Sequence, residues 1–156
     1  MIDRGSGIEN SAQALIAQLG LSAHPEGGWY RETWRSDQAV SGRALGTAII
    51  FLLRSGESSH WHRVDADELW LWQGGDPLAL RIAHGDEGPV EELVLGPDVS
   101  HSQHLQGLVP AGAWQAAAPA KGASGANGYC LVSCIVVPGF EFAGFELAEP
   151  GWEPDA

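Results

Sequence analysis

The chain has 156 residues, enough for one domain with its own core, and carries 8 basic against 20 acidic residues for a formal net charge of −12. The basic residues stand singly, so there is no positive footprint for a phosphate backbone, and a nucleic-acid role is excluded; the acidity describes a self-repelling, soluble surface. No apolar run approaches the roughly 18 residues of a membrane span, and the N-terminus lacks the basic-then-apolar order of a signal peptide, so no membrane partner is expected.

Residues 1–10 read as a flexible tail. Asn10 or Ser11 can cap a short helix running to Leu19, with Leu15, Ile16 and Leu19 as its apolar stripe and Gly20 as its stop. The stretch His24-Pro25-Glu26-Gly27-Gly28 is a turn. After it, Trp29, Arg31, Thr33 and Arg35 alternate with Tyr30, Glu32 and Trp34, which is strand periodicity. Polar and aromatic side chains on both faces imply that one face lines something other than a dry core. Residues 37–45 read as a surface loop and residues 47–53 as a buried strand. Strands at residues 59–64 and 68–73 flank Asp65-Ala66, and Gly74-Gly75-Asp76-Pro77 is a strong turn signal.

Residues 78–83, 90–95 and 105–109 continue the series of strands, and Pro110-Ala111-Gly112 turns toward Trp114-Gln115. Residues 117–128, rich in Ala, Gly and Ser, read as a loop. Residues 130–137 are continuously apolar and predict a central strand buried on both faces. Cys130 and Cys134 share a face of it, too far apart for a disulfide, and read as buried thiols in a reducing compartment, the cytoplasm. Residues 140–147 alternate like a strand, and an acidic tail from Glu149 is expected to fray. The domain organisation is thus a flexible tail (1–10), one domain (11–149) and an acidic tail (150–156). Many short strands, punctuated by 21 glycines and 9 prolines, indicate an all-β sandwich or barrel with one helix at the front. No dinucleotide-binding glycine fingerprint, phosphate-binding loop or nucleophile elbow is present.

Several motifs carry a family resemblance. Gly56-x3-His60-x-His62-x5-Glu68-x5-Gly74 resembles the first cupin motif, and residues 106–115 with Pro110-x-Gly112 resemble the second. From about Leu15 to Leu147 the chain resembles the DUF985 or Cupin_5 family. The residues that carry this are His24-Pro25-Glu26-Gly27-Gly28, Arg31-Glu32, Trp61-His62-Arg63, Asp67-Glu68-x-Trp70, Pro110-Ala111-Gly112-x-Trp114-Gln115 and Val137-Pro138-Gly139-Phe140-Glu141-Phe142. The resemblance implies a double-stranded β-helix, the jelly roll of the RmlC-like cupins, and a homodimer. It implies little about reaction: some members are labelled sugar epimerases by analogy, and a shared fold does not establish that activity. A typical metal cupin has three histidines and one glutamate, and the position expected for the third histidine holds Gln115.

Two readings of the site follow. On a regular strand His60 and His62 face the same way, about 6–7 Å apart, which suits two ligands of one divalent metal completed by Glu68 and Gln115. Alternatively His62 is a general acid–base whose tautomer is fixed by Glu68 or Asp67, with Arg63, Arg31 or Tyr30 holding a developing oxyanion. Glu26, Arg31, Trp70, Trp72, Trp114, Gln115 and Glu141 are the candidate ligand contacts, and seven tryptophans make a ring-binding wall credible. The bland alternatives are a surface His60, a structural His62 and core tryptophans. Glu32 and Glu141 either line a pocket or pair with an arginine such as Arg35. An anionic ligand would need Arg31, Arg35, Arg63 or Arg81 inside the pocket. The expected function is a small-molecule-binding cupin, as an epimerase or isomerase of a sugar or carbonyl compound using His62. The alternatives are a non-catalytic metabolite-binding protein or a divalent-metal-dependent enzyme.

Overall fold

Alternating strands need two faces to bury, and the chain resolves this by stacking two antiparallel sheets. The computed structural model describes residues 4–121 and 127–155. In chain order it contains α1 (Arg4–Leu19), β1 (Ser22–Ala23), β2 (Trp29–Arg35), β3 (Ala39–Val40), β4 (Arg43–Ala44), β5 (Thr47–Arg54), β6 (Ser59–Val64) and β7 (Asp67–Gly75). There follow β8 (Leu78–Ala83), β9 (Val90–Leu95), β10 (Gln106–Val109), β11 (Trp114–Pro119), β12 (Tyr129–Val137) and β13 (Phe145–Leu147). One sheet has the order β1-β2-β5-β12-β7-β10 and the other β13-β6-β11-β8-β9, with β3 and β4 forming a separate small hairpin. This is the all-β jelly roll expected from the sequence. Among the described residues no helix is long and apolar enough to cross a membrane.

The inner faces make the core. Phe51 and Leu53 from β5, Trp70 from β7, Leu78 and Leu80 from β8, and Val132 from β12 are almost completely buried together. At about 25 cal/mol per Å² of apolar surface removed from water, side chains of this size stabilise the fold by roughly 1.5–3 kcal/mol each. On the outside of the larger sheet, Ile16 and Leu21 pack on Leu52 and anchor α1.

Several boundaries differ from expectation. The helix begins at Arg4, N-terminal to the cap predicted at Asn10 or Ser11. Ala117–Pro119, expected in a loop, extend β11 by pairing with β8, and residues 122–126 of that predicted loop lie outside the described residues. Residues 140–147 do not form a continuous strand: Phe142–Gly144 make a 3₁₀ turn before β13. The Asp65 N–H donates to the Gly144 carbonyl at 3.1 Å, which ties the turn down there. The expected frayed tail instead lies across the outside of the smaller sheet. Trp152 packs on Trp114 with ring centroids 4.6 Å apart, Pro154 is buried, and the Asp155 N–H donates to the Asp86 carbonyl at 2.9 Å.

Candidate functional site

One end of the space between the sheets is not filled. A cavity of about 380 Å³ opens there, lined by Tyr30 and Glu32 of β2, Ile49 of β5, His62 and Val64 of β6, Glu68 of β7 and Val136 of β12. The turn at residues 24–28 contributes His24 and Glu26, and Phe140, Glu141, Phe142 and Phe145 close the wall.

The turn carrying Glu26 is held against β6 by its own glycines. Gly27 has φ +109°, and a Cβ there would collide with the Ser58 carbonyl oxygen, so only glycine allows this approach. The His60 N–H donates to the Glu26 carbonyl at 2.8 Å, which fixes the backbone of the turn to the strand. Glu26 is thereby buried with its Oε2 2.7 Å from His62 Nε2.

His62 is 2% exposed, and its Nδ1 donates to the His60 carbonyl at 2.8 Å. A ring donating from both nitrogens is an imidazolium. Burial pushes it toward neutrality, but the Glu26 carboxylate, with help from Glu68, overrides this and holds its pKa at about 9. His24 behaves oppositely. Its Nδ1 accepts the Glu26 N–H at 3.1 Å and its ring meets Tyr30 edge-on at 4.4 Å. Burial dominates and keeps its pKa below the usual 6.5, so it is a neutral acceptor.

Glu68 is 6% exposed. Its Oε1 accepts from Gln115 Nε2 at 3.0 Å, and the Cys134 thiol also bonds to it. Gln115 in turn accepts the Trp70 indole N–H at 2.8 Å, so the amide is locked between core and carboxylate. Burial raises the Glu68 pKa, the nearby His62 cation lowers it, and the balance leaves it at about 7. A carboxyl with this pKa exchanges protons at neutral pH.

The structure therefore brings together His62, Glu68, Tyr30, Glu26, Gln115 and Glu141 from the candidate set, with Gln115 acting behind Glu68. It does not bring the others. Arg31 donates to the Leu19 carbonyl at 3.2 Å, toward α1. Arg63 lies outside the sandwich, paired with Glu146 at 2.7 Å and stacked 4.5 Å from the Trp114 ring centre. Trp114 is on that outer side, Trp70 is in the dry core, and Trp72 packs against that core with its indole N–H on the Asp76 carbonyl at 3.2 Å.

His60 is also elsewhere, and the cause is a bulge. His62 pairs with Gln115 and Ser59 with Ala117, so three steps along β6 match two along β11. The extra residue breaks the alternation that would have aligned His60 with His62. His60 Nε2 instead donates to the Glu149 carbonyl at 2.9 Å. The proposed metal set fails on its donors. Both His62 nitrogens are committed, Gln115 spends its amide on Glu68 and Trp70, and His60 is turned away. Among the described residues no group of three or more His, Cys, Asp or Glu is placed to hold a metal ion. These residues do not fit the metal of a typical cupin.

The sequence assigns no role to His24, and it suggests phenylalanines for the pocket wall without saying which. His24 could have been found from its place in the same turn motif as Glu26. Phe140 and Phe142 lie in the Val137–Phe142 motif, but the fold into a 3₁₀ turn that brings them beside Phe145 has no local signal.

The Cupin_5 family, described as Cupin superfamily (DUF985), matches residues 13–148. Among solved structures, protein SO0799 from Shewanella oneidensis is 40% identical with a TM-score of 0.80, over 88% of this chain and 84% of that one. A hypothetical protein from Leishmania major is 36% identical with a TM-score of 0.83, over 90% and 89%. An oxalate decarboxylase from Bacillus subtilis shares the fold alone, at 12% identity and a TM-score of 0.59 over 81% of this chain and 29% of that one. The chain belongs to the Cupin_5 family of the cupin superfamily.

Proposed function

We propose that this cupin binds a small carbonyl compound in the cavity between its sheets and moves a proton on it, as an isomerase or epimerase. The observation that carries this is a buried carboxyl, Glu68, poised near neutrality and opening on an enclosed cavity beside a fixed imidazolium. His62 has no free lone pair and cannot take a proton, so Glu68 is the exchanging group. Its carboxylate removes a proton from the carbon beside the carbonyl. The carbonyl oxygen takes up the electron pair and is stabilised by the Tyr30 hydroxyl and the positive charge of His62. Return of the proton from the Glu68 carboxyl to the neighbouring carbon on the same face gives isomerisation, and to the other face of the same carbon, once the planar intermediate has turned over in the cavity, epimerisation.

The test is deuterium exchange. Candidate hydroxy-ketones and hydroxy-aldehydes incubated with the protein in D₂O should gain deuterium beside the carbonyl, and Glu68→Gln should slow this by about 10² or more. A second reading, non-catalytic binding of a metabolite, is favoured by the commitment of both His62 nitrogens. It takes over if compounds bind in the cavity and none exchanges. Two further proposals concern setting. Leu108 and Val137, 55% and 53% exposed on the outside of the larger sheet, support a homodimer through that face. The free thiols of Cys130 and Cys134 support a reducing compartment such as the cytoplasm.

A further inference from the structure

The charge of the cavity wall is lopsided. Glu26, Glu32, Glu68 and Glu141 line it, against the two cations His62 and Arg35. Both cations are already neutralised, His62 by Glu26 at 2.7 Å and Arg35 by Glu32 at 2.6 Å. Arg35 spends a further N–H on the Phe140 carbonyl at 2.9 Å. Arg43 feels Glu141 but forks onto Asp65 at 2.8 and 3.1 Å. Among the described residues Glu68 has only the neutral Gln115 amide and Cys134 thiol as hydrogen-bonding partners. Glu68 and Glu141 are thus the cavity carboxylates without an ion pair of their own among the described residues.

The remaining wall is aromatic. Phe140, Phe142 and Phe145 meet edge-to-face with centroids 5.0 to 6.0 Å apart. Ring faces carry negative potential, and so do the two carboxylates. An anion reaching the buried end of this space would meet the Glu68 charge with, among the described residues, no free cation to receive it. A neutral molecule would leave the carboxylates uncompensated. A small organic cation satisfies both features at once, through charge-assisted hydrogen bonds to carboxylate and contact with ring faces.

We propose that the cavity selects a small organic cation, a protonated amine with an apolar body, and that Glu68 receives its ammonium group while Glu141, on the exposed part of the wall, adds negative charge toward the mouth. This rests on the reading that the cavity is the ligand site, and it deepens the binding form of that reading, because a Glu68 carboxylate paired with an ammonium is not free to take a carbon-bound proton. It also couples binding to protons. Glu68 is faced by His62 from β6, Glu26 from the turn, Gln115 from β11 and Cys134 from β12, and the one positive charge among these is already paired. A cation arriving there displaces the carboxyl proton, so uptake near neutral pH releases protons to the buffer.

The experiment is titration calorimetry of the full chain with three probes of matched shape, phenethylammonium, phenethyl alcohol and phenylacetate, in buffers of different ionisation heat. Phenethylammonium should bind tighter than the alcohol by roughly tenfold or more, with phenylacetate weakest and proton release for the ammonium alone. Glu68→Gln should remove both the preference and the proton release. Glu141→Gln, at an exposed position that folding tolerates, should reduce the preference and keep the release. If the alcohol or phenylacetate binds as tightly as the ammonium, the cation class is wrong while the cavity stands as the ligand site. If none of the three binds, the ligand-site reading and the cation class fall together.

Discussion

The two halves of the space between the sheets are built from the same strands and do opposite things. β12 sends Cys130 and Val132 into one half and Val136 into the other, and β5 sends Leu53 and Phe51 into the filled half and Ile49 to the boundary, where it packs on that core and lines the cavity. In the filled half these side chains meet Leu78, Leu80 and Leu95 from β8 and β9. In the open half the facing strands are β6 and the three-residue edge strand β13, and the space beside that short edge is bordered by buried carboxylates and an imidazolium. Stability is concentrated where the second sheet is long, and ionisable chemistry is possible where it is short.

Truncation gives the largest expected contrast. Leu80→Ala should cost about 2–5 kcal/mol, because it opens a void in a closed core. Ile49→Ala should cost less than about 1.5 kcal/mol, because its side chain already borders empty space. Chemical denaturation measures both, and equal losses would mean the open half is packed as tightly as the closed one.

Next comes pH. The Glu68 pKa is raised in the fold, so its contribution is complete below its ordinary 4.5 and is lost as pH climbs through about 7. The His62 pKa is also raised, so its contribution is complete below 6.5 and is lost as pH climbs through about 9. Both act in the same direction, and thermal unfolding should show a Tm that declines across this whole window. Glu26→Gln removes the partner that keeps His62 charged and should flatten the decline above neutrality. A Tm that rises through the window would break the assignment of both groups to the open half.

The smallest effect tests the outside of the molecule. Arg63, a candidate for oxyanion binding by sequence, should cost less than about 1 kcal/mol when replaced by Ala, as half-exposed ion pairs usually do. Ligand affinity should be unchanged, and a loss measured by the same calorimetry would place Arg63 back at the cavity.

The strands were readable because turn residues cut the chain and the two-residue period survives between the cuts: residues 29–35, 59–64, 78–83 and 90–95 are strands as expected. The Glu26 turn and the Glu68 carboxylate were readable for the same reason. What failed was inference that depends on the partner strand. The bulge in β6 is set by the pairing with β11, so counting along residues 59–64 alone wrongly aligns His60 with His62. Trp114 was assigned to the ligand because nothing local tells an outer tryptophan from an inner one. Its outer site is covered by Arg63, by Asp86, which accepts its indole N–H, and by Trp152, which folds back from a segment whose composition suggests a loose tail.

The close seat of Gly27 on Ser58 has a kinetic consequence. Because the strand that bears the imidazole also holds the backbone of its counter-ion, the two charges travel as one rigid body. Moving the turn away from β6 would have to break the His60 N–H bond to the Glu26 carbonyl as well as the ion pair, so the fold holds the two charges as a fixed dipole facing the cavity. Phe142, 55% exposed, is the part of the aromatic wall that reaches solvent, so an incoming molecule passes it before it reaches that fixed pair.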